Sequence, residues 1–161
     1  MSASPDSNAI EAIVSICRPV DEVFNFYRDF RNLPSFLGDV VAVEPRGPAV
    51  FRWTMQGPFG IRVASTIRVT EEQPNQLIRY ETVAPPLLRT SWEIRFASNS
   101  GAAETEVRET LKLPLGGPGR AALALIGKFP AAEVAANLHR LKQIMETGKV
   151  TDAAFSVRGK F

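Results

Sequence analysis

The chain has 161 residues, 45% of them hydrophobic and 22% charged, with a net charge of +2. That is one domain's worth of an ordinary globular composition, which excludes disordered and collagen-like classes, and the charge is too small to argue for nucleic acid. No apolar run nears the roughly 18–20 residues of a membrane helix, and one cysteine (Cys17) with one histidine (His139) excludes an internal disulfide, the usual Cys/His zinc site and any histidine-centred triad without His139.

Residues 9–17 alternate, with Ile10, Ala12, Val14 and Ile16 on one face, and predict a half-buried strand. Pro19 suits the first turn of a helix and Asp21 and Glu22 favour its N-terminus, so Val20, Val23, Phe24 and Tyr27 predict a short helix over 19–28. Phe30, Leu33, Phe36 and Leu37 continue the apolar stripe, but Pro34 and Gly38 limit a second helix to a turn or two.

From Val40 to Leu113 the period changes to two. Val41 and Val43 form one short set, followed by strands centred on Phe51, Trp53 and Met55, on Ile61 to Val69, on Ile78, Tyr80 and Thr82, on Trp92, Ile94 and Phe96, and on Thr105 to Leu113. Turn chemistry separates them at Pro45-Arg46-Gly47-Pro48, Gly57-Pro58-Phe59-Gly60, Gln73-Pro74-Asn75, Pro85-Pro86 and Ser98-Asn99-Ser100-Gly101. Closely spaced strands without helices between them predict an antiparallel meander.

Leu115 to Gly119 ends the sheet region. Val134, Leu138, Leu141 and Met145 then mark an amphipathic helix that Gly148 caps, and Pro130 should kink or divide the segment near Phe129. The expected fold is α+β: a curved antiparallel sheet of six to seven strands wrapped around a long C-terminal helix, with two short helices after the first strand. The chain reads as a single domain over 1–161, its core about 9–148 and its end, 149–161, a loose tail.

Four ordered segments carry a family resemblance. Arg18-Pro19-Val20-Asp21-Glu22-Val23-Phe24 resembles an "(R/A)-P-x-E-x-V-(F/Y)" opening, and Asp29-Phe30-Arg31-Asn32-Leu33-Pro34-Ser35-Phe36 a "D-x-x-N-(L/W)-P-x-(F/W)" turn. Ile94-Arg95-Phe96 with Glu104 to Val107 resembles a "V-x-F … (G)-T-x-(V/L)" hairpin, and Leu138 to Gly148 a closing "L-x-x-L-K-x-(L/I)-x-E-T-G". Together they resemble the START-like (SRPBCC) superfamily of polyketide cyclases/dehydrases and lipid-transport proteins, in a bacterial branch similar to coenzyme Q-binding proteins. The resemblance implies the helix-grip fold and a cavity between sheet and long helix. Trp92 departs from it, standing where related bacterial members often carry a small residue, and its ring would narrow that cavity.

Strand parity lines the cavity with Phe51, Trp53, Met55, Val63, Tyr80, Trp92, Ile94, Phe96 and Val107, joined by Leu138 and Leu141 from the helix. The same residues at the same spacing can instead pack a core. Glu109 shares its face with Val107 and Leu111, so it is either a cavity acid/base with a raised pKa, or turned outward by a bulge, or placed at the rim. Tyr80 offers a ring and a hydroxyl, and Ser65 and Thr82 offer small hydroxyls. His139 lies off the helix stripe and reads as solvated, while Cys17 reads as a buried structural thiol. Arg52, Arg62, Arg68, Arg79, Arg95 and Arg108 fall on the outer sheet face, where Glu81, Glu93 and Glu106 can pair with them. Gly116-Gly117-Pro118-Gly119 lacks the Lys-Ser/Thr of a phosphate loop and reads as a hinge or lid for the cavity mouth.

Three readings follow. One is binding of a hydrophobic small molecule: lipid-like, isoprenoid- or quinone-like, or polyketide-like. A second, implied by the resemblance, is a cyclase/dehydrase-type enzyme working in the same cavity with Tyr80, Glu109 or water handling protons. A sheet-face interaction module is a third, of a different class. The sequence implies no cofactor, no metal, no nucleic-acid partner and no integral membrane segment. The polar start, Met1 to Ser7, reads as no secretory signal, a cytoplasmic location fits, and a homodimer stays open.

Overall fold

A computed structural model describes residues 8–99, 103–125 and 129–161. The first residues of the chain, the turn residues Ser100 and Gly101, and Ile126 between the sheet region and the predicted helix lie outside them.

Strand β1 (Ala9–Ile16) leads into α1 (Val20–Arg28) and a 3-10 helix (Phe30–Ser35). Six strands follow: β2 (Val40–Gly47), β3 (Val50–Gln56), β4 (Arg62–Gln73), β5 (Leu77–Thr82), β6 (Ser91–Ser98) and β7 (Thr105–Lys112). Helices α2 (Gly116–Leu125) and α3 (Pro130–Thr147) complete the order. All strands join one antiparallel sheet, ordered β1-β7-β6-β5-β4-β3-β2. This is the helix-grip architecture of the START-like fold.

The topology has a consequence for the interior. β1 and β2 follow one another in sequence but occupy opposite edges of the sheet, so the chain between them crosses its width. That crossing is α1 and the 3-10 helix, whose Phe24, Tyr27, Phe30 and Leu33 are buried together with Phe36, which follows them. Phe24 meets Phe96 edge-on at 5.3 Å and Phe30 packs on Phe51 at 4.9 Å, so the short helices fill one end of the cup.

Helix α3 buries Val134, Leu138 and Leu141 of the predicted stripe, and Met145, its fourth member, is partly buried against the same core. Pro130 divides the helical segment as expected and opens α3, where its missing N–H costs nothing. Gly148 closes the helix in the left-handed conformation (φ 75°), its N–H bonded to Ile144 O at 3.0 Å. Lys142 Nζ reaches Ser15 O at 2.6 Å, and Glu146 accepts from the Cys17 backbone N–H at 2.8 Å, tying α3 to the β1 end.

Several expectations change. β2 runs through Pro45 to Gly47, because an edge strand tolerates a residue without an N–H and the ladder shifts register there. Gly116 to Gly119 begin α2, whose first turn accommodates Pro118. Cys17 is exposed: it follows the last residue of β1, where the chain leaves the sheet.

The segment 151–161 is fastened, not loose. Arg140, fully buried on α3, donates to Phe36 O at 2.8 Å, to Ala154 O at 2.6 Å and to Asn137 Oδ1 at 2.6 Å. Val157 N–H adds a bond to Gly38 O at 2.8 Å. Gly38 must be glycine, because a Cβ there would lie 2.5 Å from Phe155 O and 2.7 Å from Arg140 Nη2.

On the outer face Arg68 pairs with Glu81 at 2.7 Å, Arg79 and Arg95 with Glu93 at 2.7 and 2.5 Å, and Arg108 with Glu106 at 3.4 Å. These solvated pairs cover the sheet's back and contribute little stability each. Among the described residues no helix is long and apolar enough to cross a membrane.

Candidate ligand-binding site

A cavity of about 700 Å³ lies between the concave face and the start of α3, at the end of the cup that the short helices leave unfilled. Its walls come from the alternation of the strands. Trp53 and Met55 point in from β3, Val63 and Ser65 line it from β4, Tyr80 and Thr82 from β5, Trp92 from β6, and Glu109 and Leu111 from β7. Val134 and Asn137 of α3 and Phe155 of the C-terminal segment close the opposite side.

Register brings these side chains together. Tyr80 is paired directly with Trp92, Trp92 with Leu111, and Met55 with Val63. The Tyr80 and Trp92 rings stack at 5.0 Å, and Trp53 packs at 5.6 Å from Tyr80 and 5.9 Å from Trp92. Three aromatic rings from three strands thus form one continuous wall. Towards solvent the lining stays apolar: Val63, Val83 and Leu88 are 48%, 52% and 62% exposed.

Six of the eleven parity-selected residues sit elsewhere. Phe51, Ile94, Phe96, Val107, Leu138 and Leu141 pack in the core and do not line the cavity. The reason is the crossing described above, since α1 and the 3-10 helix already cover that end of the sheet. The remaining five, Trp53, Met55, Val63, Tyr80 and Trp92, all line the cavity.

Glu109 points inward at 2% exposure, in unbroken register between Ala12 of β1 and Ile94 of β6. No bulge turns it out. Its Oε2 has no hydrogen-bond partner among the described residues. Burial, reinforced by the charge of Asp39, pushes its pKa up to about 8. Trp53 Nε1 is the other buried polar atom without a partner among the described residues. Tyr80 differs: its hydroxyl lies 2.8 Å from that of Tyr27, and burial raises both phenols well above their ordinary value. His139 is exposed on α3 and does not line the cavity. Thr82 Oγ1 is engaged by the Thr90 backbone N–H at 2.9 Å.

Sequence reasoning missed Asp39, Asn137 and Phe155. Asp39 and Phe155 stand in connecting segments with no periodicity, and Asn137 is one position off the α3 stripe. Among the described residues no group of three or more His, Cys, Asp or Glu side chains is placed to hold a metal ion.

The family model described as "Polyketide cyclase / dehydrase and lipid transport" matches residues 9–146. No curated protein matches the chain in sequence. Among solved structures, the Deinococcus radiodurans protein DR_A0006 is 24% identical with a TM-score of 0.68, over 88% of this chain and 99% of that one. A START superfamily protein from Mycobacterium smegmatis is 16% identical with a TM-score of 0.66, over 88% and 99%. The di-domain aromatase/cyclase StfQ of the steffimycin biosynthetic pathway is 18% identical with a TM-score of 0.62, over 86% of this chain and 50% of that one. At these identities the likeness is one of fold.

Proposed function

Because the chain belongs to the polyketide cyclase/dehydrase and lipid-transport family, whose fold binds hydrophobic ligands, we propose that it binds an apolar small molecule in the cavity between its sheet and α3. The observation that carries this reading is the cavity itself, about 700 Å³ walled by Trp53, Tyr80 and Trp92. That volume falls within the range of small-molecule sites. Affinity would come mainly from buried apolar area, at about 25 cal/mol per Å² before ordering costs. Lipid-like, isoprenoid- or quinone-like, and polyketide-like molecules all fit that description.

A second reading, a cyclase/dehydrase-type enzyme in the same cavity, draws support from Glu109 alone. A buried carboxyl whose pKa is raised to about 8 can give or take a proton near neutrality. Tyr80 is a poorer partner, because its hydroxyl is already committed to Tyr27.

Native mass spectrometry of protein purified without detergent tests the binding reading. An apolar molecule retained in the complex supports it. Protein that carries nothing, and that takes up no added hydrocarbon such as 2-ethylanthracene, contradicts it.

A further inference from the structure

The cavity is apolar but not uniformly so, and its chargeable side chains among the described residues are all acidic. The titratable side chains that line it are Asp39, Tyr80, Glu109 and Glu133, and among the described residues no lysine, arginine or histidine lines it. Two of its buried polar atoms, Glu109 Oε2 and Trp53 Nε1, have no partner among the described residues. Both atoms are covered, and a buried polar group left unpaired is costly, so each gains when its side chain turns to meet a complementary atom of a ligand in the cavity.

Resting on the binding role proposed above, we infer that Glu109 and Trp53 act as a polar anchor that selects apolar ligands bearing a neutral oxygen acceptor and rejects those ending in a carboxylate. Trp53 Nε1–H can only donate. The Glu109 carboxyl, kept protonated at neutral pH by burial and by Asp39, donates as well. Both therefore suit a carbonyl or ether oxygen. A carboxylate placed there would meet the charge of Asp39, with no cation among the described lining residues to neutralise it, and would lose its own hydration. A wholly apolar ligand would leave both donors unpaired. Glu109 is in this sense a specificity-determining residue for the ligand's polar end, while the aromatic wall holds the remainder.

Three probes of one size test this at pH 7: 2-ethylanthracene, 2-acetylanthracene and anthracene-2-carboxylate, titrated against wild type, Glu109→Gln and Glu109→Leu, with melting curves checking the fold. In wild type the ketone should bind at least as tightly as the hydrocarbon despite its stronger hydration, and the carboxylate weakest. Glu109→Leu should lower the ketone-to-hydrocarbon affinity ratio about tenfold, the value of one buried hydrogen bond. Glu109→Gln, whose amide is neutral and still donates, should keep the wild-type ranking of the three probes, its ketone-to-carboxylate ratio within threefold of wild type. The inference is overturned if wild type binds the carboxylate as tightly as the ketone, if the ketone-to-hydrocarbon ratio of Glu109→Leu stays within threefold of wild type, or if Glu109→Gln loses the preference for the ketone. Should Glu109→Leu not fold, the wild-type ranking and Glu109→Gln decide alone. Hydrocarbon binding without the predicted selectivity removes the anchor and leaves the binding role standing. Failure of all three probes to bind removes both.

Discussion

The indole of Trp92 lies parallel to the phenol ring of Tyr80, with centroids 5.0 Å apart and planes 17° from each other. The two residues are direct cross-strand partners on β6 and β5, so the stack is fixed by register. It forms part of the cavity wall. Trp92→Gly should therefore enlarge the cavity and shift preference from two-ring towards three- and four-ring aromatic probes. It should also cost about 3–5 kcal/mol of stability, as truncation of a large packed aromatic does. Fluorescence titration with the graded probes, alongside denaturant melts, checks both outcomes. An unchanged size preference would separate Trp92 from the ligand.

Glu109 makes stability fall with pH. Its carboxyl titrates near 4.5 in the unfolded chain and about 8 in the folded one, so the folded state holds the extra proton between those values. The associated stability is complete below about pH 4.5 and is lost as pH rises to 8, at about 1.4 kcal/mol per unit. Asp39, Tyr80 and Tyr27 are the groups whose charges couple to it. Glu109→Gln should flatten the decline between pH 5 and 8. Lys160, lowered to about 8 mainly by burial, acts in a separate, higher window, where stability rises with pH. Chemical denaturation at half-unit pH steps measures the difference between wild type and variant.

Leu138 is 1% exposed on the face of α3 that meets the sheet. Leu138→Asp should lose several kcal/mol, the scale of an unpaired buried charge, or fail to fold. A melt unchanged from wild type would put the α3 stripe on the wrong face.

Arg140 joins three parts of the chain through Phe36 O, Asn137 Oδ1 and Ala154 O. Arg140→Ala should release the segment 151–161, exposing it to protease and hydrogen exchange, and cost about 2–4 kcal/mol by leaving buried carbonyls unpaired. Hydrogen-exchange protection at Val157, whose N–H bonds Gly38 O, is the local readout.

Strand parity and helix spacing made the sheet, its order of elements and the capping of α3 legible in the sequence, since each depends on residues close together in the chain. The inward direction of Glu109 was legible in the same way, because β7 keeps an unbroken alternation from Thr105 to Leu111. Parity could not divide the concave face between core and cavity. Phe51 and Trp53 have the same phase on β3 and both pack against Phe30 of the crossing segment, yet only Trp53 of the two lines the cavity. Nor could periodicity find Arg140, two of whose partners, Phe36 O and Ala154 O, are backbone carbonyls outside α3 that carry no side-chain signature.

The binding role can be tested through the protein's own chromophores, since the chain has two tryptophans and both Trp53 and Trp92 line the cavity. Their emission should be quenched by energy transfer when 2-ethylanthracene enters. The expected result is saturable quenching at one probe per chain, reversed by a non-fluorescent apolar competitor. Emission that stays constant, or that falls linearly without saturation up to the probe's solubility limit, would contradict a ligand site between the sheet and α3.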